Sequence, residues 1–252
     1  MRDLEPLVSI ITVVYNCEQT IERTILNIIS QDFENYEFII VDGGSNDNTL
    51  SILKKYENQI TKWVSEPDKG IYDAMNKGVK MANGKWINFM NAGDEFAIRN
   101  FNSLFETMQN EEYGVIYGDV IIKKEEGSFL LDKARPLDEM NYLLNFCHQS
   151  SFVRRKILLD NPFSLKYKIS SDYDFFLKIF IKNYKFSYIN EPISIFELGG
   201  ISTGISKKYF KERVLIISDA HQTLYNKFFF TFKFLKTLVP INRAIIKKLL
   251  KN

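Results

Sequence analysis

Three short polar segments each follow a hydrophobic run that is typical of a buried strand. They are Tyr15-Asn16-Cys17, the stretch from Asp42 to Asp47, and Asn91-Ala92-Gly93-Asp94. In an open parallel sheet, ligands bind outside the carboxyl ends of the strands. The spacing therefore predicts one site, assembled from three loops, in which carboxylates lie beside glycines.

The second loop carries Asp42 at the end of its strand, directly before Gly43 and Gly44. Glycines allow the backbone to approach a ligand closely, and a carboxylate there can accept hydrogen bonds from a base or a ribose. The alternative is an ordinary strand-to-helix turn in which Asp47 or Asn48 caps the next helix. We adopt the ligand role for Asp42 and the capping role for Asp47.

The third loop places Asp94 directly after a predicted strand. A carboxylate in such a loop can hold Mg²⁺ or Mn²⁺ while a diphosphate supplies further oxygen ligands. The metal would neutralise charge that develops on a leaving group. The alternative is an Asx turn, in which the side chain only closes the loop.

Alternating strands and helices position these loops. The sequence predicts strands at 7–14, 36–41, 60–64 and 86–90, and helices at about 20–30, 48–56 and 71–81. In the first helix Ile21, Ile25 and Ile28 recur at helical spacing. The alternation implies right-handed crossovers and an α/β fold, with a mostly parallel sheet flanked by helices.

The pattern loosens after about residue 95. Strands are expected at 112–123 and 128–131, able to pair antiparallel, with short helices at 137–146 and 154–159 and a clearer helix at 172–182. This predicts a smaller mixed region beside the parallel one. We divide the chain into residues 1–100 and 101–205, two halves of one domain, and a helical tail at 206–252.

Composition excludes several classes of protein. A chain of 252 residues suits one sizeable domain, and a net charge of +2 is too small to argue for nucleic-acid binding. Cys17 and Cys147 form no CxxC pair and suit free thiols of a reducing compartment. There is no uninterrupted apolar run of about 18 residues, so we expect no transmembrane helix and a cytoplasmic protein.

The C-terminal tail is basic and aromatic. No acidic side chain follows Asp219, and Pro240 is expected to break the segment in two. Its basic residues are Lys227, Lys233, Lys236, Arg243, Lys247, Lys248 and Lys251. Such a segment suits a helix lying on the inner face of the cell membrane. The alternative is a helix packed on the domain with solvated lysines.

Four segments of the first 95 residues carry a family pattern in order: Val8–Asn16, Val41–Thr49, Gly70–Gly78 and Asn91–Asp94. They resemble the opening strand, the second signature, the helix before the metal loop and the metal loop of family 2 glycosyltransferases with the GT-A fold. The stretch from Ser65 to Gly70 is similar to the bacterial branch that builds exopolysaccharide, capsule and O-antigen.

The resemblance implies roles in binding a nucleotide sugar. Tyr15 would stack on the nucleobase and Asp42 would contact its edge, while Asp68 and Lys69 would line the pocket near the ribose and diphosphate. Asp94 would be the metal-binding carboxylate, for Mn²⁺ or Mg²⁺.

The metal loop departs from the family pattern at two positions. Asn91 stands where many relatives have the first aspartate, and Gly93 replaces another acidic position. We keep Asn91 among the residues that contact the nucleotide sugar and expect a weaker dependence on metal.

The second half resembles the acceptor side of this family. In Ser170-Ser171-Asp172-Tyr173-Asp174, Asp172 aligns with the base that deprotonates the acceptor hydroxyl, and Ser171 replaces the usual Glu. The alternative is that Asp172 caps the helix and Asp174 complements its dipole. Cys147-His148-Gln149-Ser150 also resembles this branch, and His148 is either a contact to the diphosphate or acceptor or a structural residue.

These features predict an inverting glycosyltransferase of surface polysaccharide synthesis. It would move a sugar from a nucleotide diphosphate sugar, by family habit a UDP-sugar, to a saccharide or lipid-linked acceptor. A nucleotidyltransferase would carry a Gly-rich phosphate loop after the first strand, where this chain has Tyr15-Asn16-Cys17-Glu18. A non-catalytic binder, the other alternative, would not need both Asp94 and Asp172.

Overall fold

The computed structural model describes residues 5–33, 35–98, 101–124, 126–197 and 206–238. The predicted break at Pro240 and the tail residues Arg243, Lys247, Lys248 and Lys251 lie outside the described residues.

One sheet organises the molecule. Its strands are β1 (Val8–Val14), β2 (Tyr36–Asp42), β3 (Lys62–Ser65), β4 (Trp86–Phe89), β5 (Glu95–Phe96), β6 (Tyr113–Lys123), β7 (Phe129–Asp132), β8 (Ser151–Arg154) and β9 (Lys185–Glu197). The helices are α1 (Ile21–Ile29), α2 (Thr49–Lys55), α3 (Ile71–Met81), α4 (Asn102–Met108), α5 (Arg155–Asp160), α6 (Ser171–Ile181), α7 (Lys207–Ala220) and α8 (Leu224–Leu238).

The strand order is β3-β2-β1-β4-β8-β6-β9-β5, and β7 pairs with β6. The first four strands in this order are parallel to one another. Beyond them β8 is antiparallel to β4 and β6, while β6 and β9 are parallel. The predicted α/β fold with a smaller mixed region is confirmed, whereas the division into functional halves at about residue 100 stays a prediction.

Side chains of β1 alternate between two cores, as the pleat of a strand requires. Ile11 and Val13 join the cluster under α3, α6 and α7, which also contains Phe234 of α8. Val8 and Ile10 join the cluster under α1, α2 and α4 on the opposite face of the sheet. Because helices cover both faces of the sheet, a ligand can reach the parallel region at the loops along its carboxyl edge.

The pattern did not predict β5, at the end of the first half, or α4, β8 and β9 of the second half. β9 is mostly half-exposed, so its sequence lacks a buried apolar run, and its pairing with β6 shifts register around Gly118 and Asp119. The predicted helix at 137–146 is wrong beyond a short 3-10 helix, Leu137–Asn141. There the backbone N–H of Arg135 donates to the Asn145 carbonyl at 2.7 Å, which folds the chain back on itself.

In the described ranges, no helix is long and apolar enough to cross a membrane. α7 and α8 pack on each other and on the domain, since Phe234 is fully buried.

Candidate functional site

Asp42 is fully buried at the end of β2 and holds its own loop together. Its carboxylate accepts hydrogen bonds from the backbone N–H groups of Gly44 (3.0 Å) and Ser45 (2.9 Å), from the Ser45 hydroxyl, and from the Ser65 hydroxyl (2.6 Å). To contact the edge of a base, as predicted, Asp42 would have to exchange one of these partners. In this structure it fixes the position of the loop.

The first two loops are joined by a set of short hydrogen bonds. Asn16, in the left-handed region at φ 51°, donates its backbone N–H to the Ser45 hydroxyl at 2.8 Å and accepts from the Asn46 backbone at 2.9 Å. Asp47 accepts from the Thr49 N–H at 3.0 Å, at the start of α2. The N-cap position of α2 is Asn48, which makes no side-chain cap hydrogen bond, so Asp47 lies one residue before the cap and the capping role predicted for it is wrong.

Gly43 brings Tyr15 and Asp68 together. A Cβ atom at this position would lie 2.5 Å from Asp68 Oδ2 and 3.4 Å from the ring of Tyr15, so a larger residue would push these groups apart. The other oxygen of Asp68 accepts from the Gly70 N–H at 2.7 Å. Tyr15 is 58% exposed, and its ring offers a surface for a planar ligand.

Lys69 lies on the same rim and is exposed. Its backbone is fixed on both sides, because its N–H donates to Asp73 at 3.0 Å and its carbonyl accepts from the Lys168 ammonium at 2.9 Å. The loop before α3 thus touches the segment before α6. This contact joins the two halves of the chain beside the predicted nucleotide pocket.

Asp94 is 5% exposed and is held by the loop after β4. Its Oδ2 accepts from the Gln149 side chain at 2.8 Å, and its backbone carbonyl accepts from the Thr24 hydroxyl at 2.9 Å. Burial raises the pKa of Asp94 to about 7, although the hydrogen bond from Gln149 and the charge of His148 act in the opposite direction. This carboxylate is short of positive partners.

Arg23 of α1 holds the loop after β4 in place. Its guanidinium donates to the Gly93 carbonyl at 2.8 Å and pairs with Glu95 at 2.8 Å and with Glu197. Gly93 has φ 101°, a conformation that favours glycine. No sequence motif marked Arg23, because its role depends on how α1 packs against a loop 70 residues later.

Asp172 lies in the first turn of α6, and Ser170 occupies the N-cap position. The Asp172 carboxylate contacts the Tyr72 hydroxyl at 3.0 Å through Oδ1 and His148 Nδ1 at 3.4 Å through Oδ2. Burial raises the pKa of Asp172, but the hydrogen bond and charge of His148 outweigh it, so the pKa is lowered overall. Asp172 is therefore not the cap of its helix.

Asp174 does not face the same cluster. It is 3% exposed and pairs with Lys178, one turn along α6, at 2.6 Å. This pair places Asp174 in a structural role within the first turn of the helix.

His148 connects the loop after β4 to Asp172. Its Nε2 lies 3.3 Å from the side-chain nitrogen of Asn91, and its Nδ1 faces Asp172. Gln149, the next residue, holds Asp94. The structure thus brings Asn91, Asp94, His148 and Asp172 into one cluster, which we call the carboxylate cluster.

Three further residues of the site were not predicted. Tyr72 and Gln149 contact Asp172 and Asp94, respectively. Both lie within segments that resemble the family pattern, and this position in the sequence is the signal that could have identified them. Glu212 of α7 accepts from the backbone N–H groups of Lys168, Ile169 and Ser170 at 2.9 to 3.1 Å. It fixes the turn before α6, and nothing in the sequence pattern distinguishes it from a surface glutamate.

The cluster offers oxygen atoms that fit a divalent cation. The Oδ1 atom of Asn91 is buried and, within the described part of the chain, has no hydrogen-bond partner. Together with the Asp94 carboxylate it gives two hard oxygen donors on one loop, and a diphosphate can supply the others. Residues that the structure describes contain no group of three or more His, Cys, Asp or Glu placed to hold a metal alone.

A cavity of about 260 Å³ lies on the side of the second half, next to the carboxylate cluster. Asp132, Lys133, Arg135, Asn145 and Cys147 line it together with apolar side chains of β6. The cavity therefore combines two cationic side chains and one carboxylate with an apolar wall, and Cys147 directly precedes His148 in the chain.

Comparison with known proteins gives consistent matches. The family model described as Glycosyl transferase family 2 matches residues 9–161. A PGL/p-HBAD biosynthesis glycosyltransferase of Mycobacterium tuberculosis is 30% identical over 217 residues, covering 83% of this chain and 84% of the relative. The Escherichia coli UDP-Glc:alpha-D-GlcNAc-diphosphoundecaprenol beta-1,3-glucosyltransferase WfaP is 28% identical over 215 residues, covering 82% and 83%.

Solved structures match at the level of the fold. Staphylococcus aureus TarS 1-349 in complex with UDP superposes with a TM-score of 0.68 and 19% identity, covering 94% of this chain and 73% of that one. The mannosyltransferase PcManGT from Pyrobaculum calidifontis, in complex with GDP-Man and Mn²⁺, gives 0.62 and 16%, covering 99% and 79%. These likenesses confirm the expected GT-A fold.

Proposed function

The chain belongs to glycosyltransferase family 2 and is a glycosyltransferase, and from this premise we propose its donor, acceptor and mechanism. The donor is a nucleotide diphosphate sugar, with UDP as the nucleotide. The acceptor is a hydroxyl of a saccharide or a lipid-linked saccharide in surface polysaccharide synthesis. The transfer inverts the configuration of the sugar.

One observation carries the mechanism: His148 contacts both the metal loop, through Asn91, and Asp172. Sugar transfer needs a group that stabilises the leaving diphosphate and a base that takes the proton of the acceptor. The two groups must lie on opposite sides of the reacting carbon and close to it. A shared contact residue supports this placement.

Asp172 acts as the base in this proposal. Its lowered pKa keeps it ionised at neutral pH, and an ionised carboxylate can accept the proton of the attacking hydroxyl. The Tyr72 hydroxyl lies 3.0 Å from the Asp172 carboxylate and 2.8 Å from the Ile169 carbonyl. Burial raises the pKa of Tyr72 well above its usual value, so the hydroxyl keeps its one proton and can donate it to either oxygen.

Asp94 and Asn91 would hold a divalent cation, Mn²⁺ or Mg²⁺. When bound, such a cation supplies charge neutralisation at the leaving diphosphate. The buried Asp94 carboxylate, whose pKa burial raises to about 7, and the unpartnered Asn91 oxygen support this assignment. PcManGT, a neighbour in fold, is known in complex with GDP-Man and Mn²⁺.

The rim formed by Tyr15, Asp68 and Lys69 would bind the nucleotide, with the Tyr15 ring on the base. Asp42 contributes by fixing the loop, and contacts the base after exchanging a partner. UDP is supported by two relationships: TarS is solved with UDP, and WfaP is a UDP-Glc-dependent glucosyltransferase. In this scheme residues 1–100 form the donor half.

Residues 101–205 would form the acceptor half, with the cavity beside His148 as the entry for the acceptor. Lys133 and Arg135 suit an anionic diphosphate, and the apolar wall suits a lipid. The WfaP name specifies a diphosphoundecaprenol acceptor, which supports a lipid-linked one here. The protein would then work at the inner surface of the cell membrane.

A screen of nucleotide sugars tests the donor. The melting temperature should rise with UDP-sugars, and more so with Mn²⁺, because a ligand that binds only the folded state stabilises it. A larger rise with GDP- or dTDP-sugars would contradict the choice of UDP.

The active donor is then given an acceptor, and the anomeric configuration of the product is read by NMR. A configuration opposite to that of the donor is expected. A product that retains the donor configuration would refute the single-displacement mechanism, while leaving the choice of donor intact.

A further inference from the structure

One side of α8 exposes a row of large apolar side chains. We call it the α8 outer stripe, and its exposed fractions run from 36% to 73%. Its members are Leu224, Tyr225, Phe228, Phe229, Phe232 and Leu235. Exposed apolar patches of this kind mark interaction surfaces more often than single exposed residues do.

The opposite side of the same helix is anchored. Phe234 is fully buried, with its ring centroid 6.1 Å from that of Phe210, and the Arg213 guanidinium lies 5.5 Å from the Phe234 ring. Phe230 stacks on His221 at 4.4 Å. Because residues at helical spacing share one face, the anchored side turns the stripe away from the protein.

Positive charge accompanies the stripe. Lys233 lies 4.9 Å from the Phe229 ring centroid, Lys236 lies 4.6 Å from that of Phe232, and Lys227 belongs to the same helix. The sequence has no acidic side chain from residue 220 to its end. The partner of this surface should therefore be apolar and negatively charged.

We propose that the α8 outer stripe lies on an anionic lipid bilayer. Its aromatic rings would sit at the boundary between headgroups and acyl chains, and its lysines would reach the phosphates. α8 has 15 residues and is about 22 Å long at the usual helical rise, which is too short to cross a hydrocarbon core. The helix lies on the membrane rather than spanning it.

A second copy of the chain is a weaker match for this surface. Two copies meeting through their stripes would bring lysines against lysines with no acidic side chain on α8 to offset them. Like charges facing each other across an interface oppose association. An anionic lipid surface satisfies both the apolar and the basic part of the stripe.

Contact between α8 and the membrane would serve the transfer reaction, an argument that rests on the proposed function. The Arg213 guanidinium contacts Phe234 of α8 and also lies 3.3 Å from the ring of Tyr173, the neighbour of Asp172. α8 is therefore fixed, through its buried face, to the helix that carries the proposed base. The outer stripe lies on the far side of α8, so a bound membrane would hold the enzyme at the surface that carries a lipid-linked acceptor.

The test measures binding of the full chain to vesicles by sedimentation, without any sugar transfer. Binding is expected to vesicles of phosphatidylcholine mixed with phosphatidylglycerol, and to be much weaker with phosphatidylcholine alone. Phe228→Ser combined with Phe232→Ser should lower the partition coefficient at least about tenfold. Lys233→Gln combined with Lys236→Gln should lower it roughly 30-fold, at about fivefold for each lysine.

Leu26→Ser is the matched control, because Leu26 is 45% exposed on α1, on the opposite face of the sheet. It should bind vesicles like the unchanged chain. The proposal is overturned if the full chain does not bind the mixed vesicles, or if Leu26→Ser weakens binding as much as the phenylalanine pair. A concentration-dependent dimer that the phenylalanine pair abolishes, without vesicle binding, would assign the stripe to a second copy instead.

The thermal unfolding of each variant shows whether it is folded. Transfer to a soluble acceptor separates this inference from the proposed function. Vesicle binding with no transfer to any acceptor refutes the proposed reaction and leaves the membrane surface standing.

Discussion

The loop after β4 and the start of α6 each contribute one carboxylate to the site, and they treat it differently. Asp94 has an amide partner, Gln149, and burial raises its pKa to about 7. Asp172 is also largely buried, but His148 and Tyr72 face its two oxygens, and its pKa is lowered. The pKa values of two aspartates in one cluster are thus shifted in opposite directions.

The difference between the two pKa shifts follows from the charged partners that each carboxylate has. Asp172 has a partner of its own that can carry positive charge, so the site around it is complete without a ligand. Asp94 has only partial compensation, so a cation brought by the donor would lower its free energy. Environments that separate the pKa values of two carboxylates are typical of sites where the two have different tasks.

Asp172→Asn should give the largest effect on activity. The amide cannot accept the proton of the acceptor hydroxyl, so kcat should fall by about 10²- to 10⁴-fold. Nucleotide affinity should stay nearly unchanged, since Asp172 belongs to the proposed acceptor half and not to the rim of Tyr15, Asp68 and Lys69. Initial rates of transfer and calorimetric titration with the nucleotide measure the two quantities.

Asp174→Asn is the control for this variant, because it changes a carboxylate two residues away in the same helix. Its rate of transfer should stay within a few-fold of the unchanged chain. Transfer by Asp172→Asn at the unchanged rate would show that another group is the base.

Asp94→Asn should give a smaller loss, which depends on metal. Removing the carboxylate should cost about a hundredfold in kcat/KM, because the charge on the leaving diphosphate is less well neutralised. It should also remove the additional thermal stabilisation that Mn²⁺ gives in the presence of a UDP-sugar. Glu126→Gln, in an exposed turn, should change neither property. Full retention of the Mn²⁺ effect would exclude Asp94 as the metal carboxylate.

The free energy of unfolding of the metal-free protein should change in opposite directions in Asp94→Asn and Asp172→Asn. Asp94 has a raised pKa in the folded state, so its contribution is full below its ordinary pKa and is lost as pH rises through about 7. Asp94→Asn should therefore be more stable than the unchanged chain at about pH 8, by roughly 2 to 4 kcal/mol, with the difference vanishing near pH 4.

For Asp172 the stability depends on pH in the opposite direction. Its lowered pKa contributes stability above its ordinary value, and that contribution is lost as pH falls. Asp172→Asn should therefore be less stable than the unchanged chain at neutral pH, and the difference should shrink in acid. Urea unfolding in the presence of a chelator measures both. Shifts of the same sign in the two variants would contradict the contrast between the loops.

The sequence was most informative where local pattern and tertiary structure agree. The β-branched runs ending at Asp42 and before Asn91 are buried strands of a parallel sheet, so their periodicity and their ends marked the loops correctly. α3 was predicted with its observed bounds, Ile71–Met81. The strands are buried along nearly all of their length, and α3 buries one face at helical spacing, so each has a regular pattern.

The second half was less predictable because its elements depend on long-range pairing. β9 is half-exposed and pairs with β6 through register shifts, so it lacks the alternation that identifies a strand. Arg23 and Glu212 act through contacts with loops far along the chain. The family resemblance marked Asp172 and His148, but their mutual contact and the partner Tyr72 required the fold.

His148→Gln should give the smallest and most diagnostic effect. His148 holds the pKa of Asp172 down, so without it that pKa should rise and the base should become protonated at a higher pH. The acidic limb of the kcat/KM profile should therefore move to higher pH, with a larger loss of kcat/KM in acid than at alkaline pH. The sequence has two histidines, and His221, stacked on Phe230, lies away from the cluster. His221→Gln should leave the acidic limb in place, and a limb that moves in neither variant would mean that His148 does not set the protonation of the base.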